Sequence, residues 1–217
     1  MSEAYGRPDI RFDQQMALRT AAVWLTEEFG AMFGLETIER FLYTSYEQFA
    51  EDARITHYLP LIAQRFARQQ LQALARVEGQ FVGKPIVLFL CVRNAGRSQM
   101  ALGFFQHYAG GAAIAWSGGS DPGSGVDLGA IAAMSERGVD IAGEYAKPWT
   151  DDVVRASDVV ITMGCGDACP VYPGKRYEDW VLEDPEQGGV DAIRAIRDEI
   201  ERRVLVLLDD LEIAPRR

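Results

Sequence analysis

The 217-residue chain is poor in cysteine and histidine, and its cations are outnumbered by its acids. Three cysteines, Cys91, Cys165 and Cys169, are too few to staple a disulfide scaffold. Their odd number, behind an N-terminus with no basic stretch followed by an apolar core, points to reduced and chemically used thiols. The expected location is therefore the cytoplasm. The two histidines, His57 and His107, have no nucleophile or metal ligand near them in sequence, so capping or packing is their expected role. Lys plus Arg total 22 against 32 Asp plus Glu, a formal charge of −10. That balance excludes a surface built to coat nucleic acid or an anionic membrane. No run approaches the roughly 20 apolar residues that span a bilayer. Global disorder is excluded as well, because 48% of the residues are hydrophobic.

Two regions differ in pattern. Within residues 1–82, apolar residues recur at helical spacing three times. They are Leu18, Ala21, Ala22, Leu25 and Phe29, then Ile38, Phe41, Leu42, Ser45 and Phe49, then Ile62, Phe66, Ala67, Leu71 and Leu74. The periodicity predicts helices over 13–29, 36–50 and 59–77, forming a small three-helix bundle. From residue 83 to 217 strands alternate with helices. Ile86-Val87-Leu88-Phe89-Leu90 reads as a strand buried on both faces. Further strands are expected at 112–116, at 158–163 and within 176–181. Helices are expected over 98–108, 128–137, 151–156 and 190–208. A Gly/Ser/Asp/Pro loop is expected over 117–125. The fold class is α/β, a four-stranded parallel sheet flanked by helices.

The chemistry concentrates after the first strand, in Cys91-Val92-Arg93-Asn94-Ala95-Gly96-Arg97-Ser98. A loop between strand and helix turns backbone N–H groups and the positive end of the helix dipole toward an anion. Gly96 lets the backbone close around a small ligand. Arg97 adds a planar, permanently charged fork suited to a tetrahedral oxyanion. Cys91, at the mouth of that cradle, feels the same field, which favours its nucleophilic thiolate. Ser98 is placed to donate to the sulfur. The plain alternative is a buried cysteine ending a strand and an arginine in a surface salt bridge.

Cys165 and Cys169 follow a predicted strand and so share the carboxyl edge of the sheet with Cys91. A three-thiol relay then becomes possible. One turn of helix would leave the two cysteines about 5–6 Å apart at Cβ, whereas a disulfide needs roughly 3.5–4.5 Å. The segment must therefore be a loop or unwind. Three other readings stand beside the relay: spectator thiols, half of a zinc site, or buried core thiols.

The segment resembles the oxyanion loop of the low-molecular-weight protein tyrosine phosphatases and of the arsenate reductases that share their fold. The phosphatases usually carry proline after Arg-Ser. Here Gln99-Met100-Ala101 follows, as in the arsenate reductases. The resemblance runs over about residues 84–208, through Ser117-Gly118-Gly119-Ser120, Lys147-Pro148, Cys165 and Cys169-Pro170, and Glu183-Asp184-Pro185. It implies that Cys91 attacks the oxyanion, that Arg97 binds it, and that Asp184 is the general acid. A helical bundle before such a domain is similar to a subset of actinobacterial arsenate reductases.

The expected activity is reduction of arsenate to arsenite through a Cys91 adduct and a Cys91/Cys165/Cys169 relay, with thioredoxin as reductant. The alternatives are a mycothiol/mycoredoxin-dependent enzyme using Cys91 alone, a low-molecular-weight phosphatase, and a non-catalytic oxyanion or arsenite sensor. No cofactor, resident metal, nucleic acid or membrane partner is expected. Some relatives carry an acidic residue in a structural potassium site where this chain has Leu102. Tyr145 and Trp149 are candidates for an active-site wall.

Overall fold

A computed structural model describes residues 10–51, 57–80, 83–164, 171–183 and 189–216. The chain divides into two compact units, residues 1–80 and 81–217.

The first unit contains α1 (Phe12–Phe29), α2 (Leu35–Ala50) and α3 (Leu59–Val77), and each packs on the other two. Their buried faces carry the periodic residues, including Leu18, Leu25, Phe29, Ile38, Leu42, Phe66 and Leu71. Burying one such side chain contributes roughly 1.5–3 kcal/mol, so these stripes dominate the stability of the bundle. Tyr46 of α2 donates its hydroxyl to the Gln14 side-chain oxygen of α1 at 2.6 Å, which satisfies a polar pair inside that core.

The second unit is built on four parallel strands, β1 (Ile86–Cys91), β2 (Ile114–Gly119), β3 (Val159–Thr162) and β4 (Arg176–Asp179), in the order β2-β1-β3-β4. Every residue of β1 is buried, as its unbroken apolar run predicts for a central parallel strand. Val87, Phe89 and Cys91 join a core with α4 (Arg97–Ala109) and α7 (Gly189–Asp210), including Phe104, Phe105, Ile200 and Val204. The remaining helices are α5 (Leu128–Ser135), which packs on α7, and α6 (Asp151–Ala156), which packs on β1. Edge strand β4 is partly exposed and charged, the composition that discourages pairing with another chain.

One boundary departs from the sequence pattern. β2 runs to Gly119, through Ser117 and Gly118 that read as loop. The glycines are there for close approach. A Cβ on Gly119 would stand 2.6 Å from the Val92 carbonyl oxygen and 3.0 Å from the Asn94 nitrogen. The end of β2 can therefore lie directly against the loop that follows β1.

Candidate active site

β1 ends at Cys91 and α4 begins at Arg97, so residues 92–96 form a five-residue loop at the carboxyl edge of the sheet. Its outer edge is fixed by the next crossover. Asp121 donates its N–H to the Val92 carbonyl, Gly123 to that of Arg93 and Asp127 to that of Ala95, each at 2.9 Å. In a trans peptide the following N–H points opposite to the carbonyl. The N–H groups of Arg93, Asn94 and Gly96 are thereby turned inward, forming a concavity of the kind that holds anions. The N-cap of α4, Gly96, has no side chain with which to cap the first N–H groups of the helix.

Asn94 shapes the loop. It is buried and adopts a left-handed backbone with φ of 46°, a conformation asparagine tolerates better than most residues. Its side-chain amide donates to the Ser98 hydroxyl at 2.8 Å. That leaves the Ser98 hydrogen free for Cys91, whose sulfur is 3.0 Å from the hydroxyl oxygen. Cys91 itself is buried.

Gln99 locks this arrangement from behind. Its Nε2 lies 3.0 Å from the Asn94 carbonyl, 3.1 Å from Asn94 Oδ1 and 2.9 Å from the Tyr145 carbonyl. Proline at this position would supply none of these bonds. The Lys147 N–H donates to Asn94 Oδ1 at 3.0 Å. The turn around 145–147 is thus stitched to the loop from 50 residues away in sequence.

Arg97 is half-buried at the first turn of α4. Gly164, with φ of 76°, lies against its guanidinium, and a Cβ there would sit 3.1 Å from Nη1. The residue just before Cys165 is therefore beside the arginine. Arg93 is exposed on the outer side of the loop.

Cys91 ends β1, Val92, Arg93, Asn94, Ala95 and Gly96 form the loop, and Arg97 and Ser98 open α4. Cys165, Cys169 and Asp184 lie outside the described residues. Leu102 is buried in α4. Among the described residues no group of three or more His, Cys, Asp or Glu is placed to hold a metal. Tyr145 contributes its carbonyl to the knot behind the loop and its ring to Lys147, 4.5 Å from the ammonium. His107 makes an edge contact with the Tyr108 ring, in keeping with packing. In the sequence, Gln99 and Lys147 stand out only through the family resemblance. Their contacts with Asn94 and Tyr145 carry no local sequence signal.

Residues 86–215 match the family model described as low molecular weight phosphotyrosine protein phosphatase. The chain belongs to that family. Residues 18–75 match a second model, the protein-tyrosine-phosphatase-like N-terminal domain. Within the family the chain groups with the arsenate reductases. It is 44% identical to the thioredoxin-dependent arsenate reductase of Corynebacterium glutamicum, over 90% of this chain and 96% of that one, with a TM-score of 0.80. It is 38% identical over 121 residues to the glutaredoxin arsenate reductase of Synechocystis sp., covering 54% of this chain and 92% of that protein. A solved arsenate reductase in its phosphate-binding state is 35% identical, over 60% of this chain and 99% of that one, with a TM-score of 0.51. Among the described residues no helix of this family member is long and apolar enough to cross a membrane.

Proposed function

We propose that this chain is an arsenate reductase that converts arsenate to arsenite with electrons from thioredoxin. The observation that carries the reading is the oriented pair Cys91–Ser98, 3.0 Å apart at the base of a loop whose outward carbonyls turn its N–H groups inward, with Arg97 on the first turn of α4. The Cys91 thiolate attacks arsenic, a sulfur–arsenic bond forms, and an oxygen leaves as water with a proton from Asp184. The Cys165 thiolate then attacks the Cys91 sulfur. A disulfide forms, the sulfur–arsenic bond breaks, and its electron pair stays on arsenic, which departs as arsenite. Cys169 next attacks Cys165 and returns Cys91 to its thiolate, leaving a Cys165–Cys169 disulfide for the external dithiol. The position of Gly164 beside Arg97 supports the approach of Cys165 to this site. The similarity to the thioredoxin-dependent relative over both units supports the choice of reductant.

A phosphatase reading uses the same loop, with water attacking a Cys91 phosphoryl adduct. The anchoring of Gln99 Nε2 among the Asn94 and Tyr145 acceptors, in the usual place of proline, favours the reductase. The test is arsenate-dependent NADPH oxidation with thioredoxin and thioredoxin reductase, beside a mycothiol/mycoredoxin mixture and p-nitrophenyl phosphate hydrolysis. Turnover with thioredoxin alone is the expected result. Turnover only with the small thiol would reduce the mechanism to Cys91. Brisk ester hydrolysis without arsenate turnover would make the protein a phosphatase, and silence in all three would make it a sensor.

A further inference from the structure

Gln99 is fully buried on the first turn of α4. Three oxygens face its Nε2: the Asn94 carbonyl at 3.0 Å, Asn94 Oδ1 at 3.1 Å and the Tyr145 carbonyl at 2.9 Å. All three can only accept. The amide therefore has one allowed orientation, because its own oxygen on that side would face three others. The other end of the group is left unsatisfied. Among the described residues nothing donates to Gln99 Oε1, which is buried. A buried carbonyl without a partner is costly, and an apolar side chain of the same length would fill the space without that cost. The donor end of the amide is what sets this residue apart from packing.

Two hydrogens serve the three acceptors. One points to Tyr145. The other is shared between the carbonyl and the Oδ1 of Asn94, so it ties the left-handed backbone of that residue to its side chain. From there the donors run one way. Asn94 Oδ1 is occupied by Gln99 and by the Lys147 N–H, which leaves Asn94 Nδ2 to donate to Ser98 at 2.8 Å. The Ser98 oxygen accepts that bond, and its hydrogen turns to the Cys91 sulfur at 3.0 Å. Hydrogen bonds pointing the same way polarise one another, and the last of this series ends on the sulfur.

We infer that Gln99 is a positioning residue that raises the reactivity of Cys91 by acting through Asn94 and Ser98. This rests on the reading of Cys91 as the nucleophile of an oxyanion site. A side chain that only filled space behind the loop would matter whether or not Ser98 kept its hydroxyl. One that acts through Ser98 loses its influence on the sulfur once that hydroxyl is gone.

That difference sets the experiment, made on the reduced full-length chain. Iodoacetamide alkylation of Cys91 at neutral pH is followed by peptide mass spectrometry in wild type, Gln99→Met, Ser98→Ala and the double variant, and folding is checked by circular dichroism. Methionine matches glutamine in length and offers no donor. Gln99→Met is expected to slow alkylation roughly fivefold, the worth of one net hydrogen bond. Where Ser98 is already alanine, it should change the rate by less than about twofold. An unchanged rate in a folded Gln99→Met would overturn the inference, and so would an equal loss with and without the Ser98 hydroxyl. Protection of wild-type Cys91 by inorganic phosphate is measured alongside. Absence of protection would remove the underlying oxyanion reading and this inference with it, whereas protection without a Gln99 effect would remove this inference alone. Should Gln99→Met fail to fold, nitrogen-15 NMR of wild type and Ser98→Ala decides. The Gln99 side-chain amide signals are expected to shift as Cys91 ionises in wild type and to hold still in Ser98→Ala. Signals that move equally in both, or in neither, overturn the inference.

Discussion

The Cys91 sulfur stands 3.0 Å from the Ser98 hydroxyl, which Asn94 holds from its other side at 2.8 Å. The hydroxyl hydrogen is thereby directed at the sulfur. A hydrogen bond to a charged group is worth roughly 1.5–3 kcal/mol. Ser98→Ala should therefore slow Cys91 alkylation at neutral pH by at least about tenfold. Peptide-resolved iodoacetamide kinetics measure this, and an unchanged rate would show that the hydroxyl does not stabilise the nucleophile.

The three cysteines should fail in different ways. Cys91→Ser should abolish arsenate reduction and any ester hydrolysis. Cys169→Ser should complete a single turnover, because the Cys91–Cys165 disulfide still forms, and then stop. Rapid-quench arsenite release counts the turnovers. Sustained cycling of Cys169→Ser with thioredoxin would eliminate the proposed relay.

Arg97 and Gly164 should be coupled. Arg97→Ala should weaken phosphate binding more than tenfold, and Arg97→Lys should restore it only in part, because the planar fork is lost. Gly164→Ala forces an alanine into a left-handed backbone with its Cβ 3.1 Å from the guanidinium. A smaller loss, a few-fold, is expected there. Calorimetry on the three variants checks the order.

Acid stability should depend on the contact between α5 and α7. Hydrogen bonds from Arg194, and then Arg197, hold the Glu136 carboxyl down at about 2, against a burial effect that pulls upward. A depressed carboxyl contributes stability above its ordinary value near 4.5, and that contribution fades as pH falls toward 2. Glu136→Gln should flatten the decline in urea midpoint between roughly pH 5 and pH 2. A decline as steep as that of wild type would place the acid sensitivity elsewhere. Glu199, held at about 2 by Arg202 and Arg203, is the natural candidate.

α1 and α2 are legible because each buries a single face, and α3 falls on the residues its periodicity predicts although Gln69, Ala73 and Ala75 are buried as well. β1 was legible because it is buried throughout. α4 has little helical periodicity, since Ser98 to Phe105 are all buried, and only the loop before it located its start. The end of β2 is hidden in the sequence because glycine marks both loops and close backbone contacts, and Gly119 serves the second purpose. At the proposed site, Cys91, Arg97 and Ser98 lie within eight residues of sequence, so their placement between β1 and α4 is legible there. The knot of Asn94, Gln99, Tyr145 and Lys147 could not, because its parts meet only after the sheet forms.

Asn94, pinned by Ser98, Gln99 and Lys147, gives the loop its shape before any ligand arrives. A cradle so rigid measures size and charge, and arsenate and phosphate are nearly alike in both. In a cell the abundant oxyanion would occupy it most of the time. Under the proposed relay, discrimination would fall to the chemistry after capture, where sulfur attack would expel reduced arsenic while phosphorus keeps its oxidation state. Phosphate would then be a resident competitor, and the proposed reductase a kinetic filter whose throughput follows the ratio of the two anions.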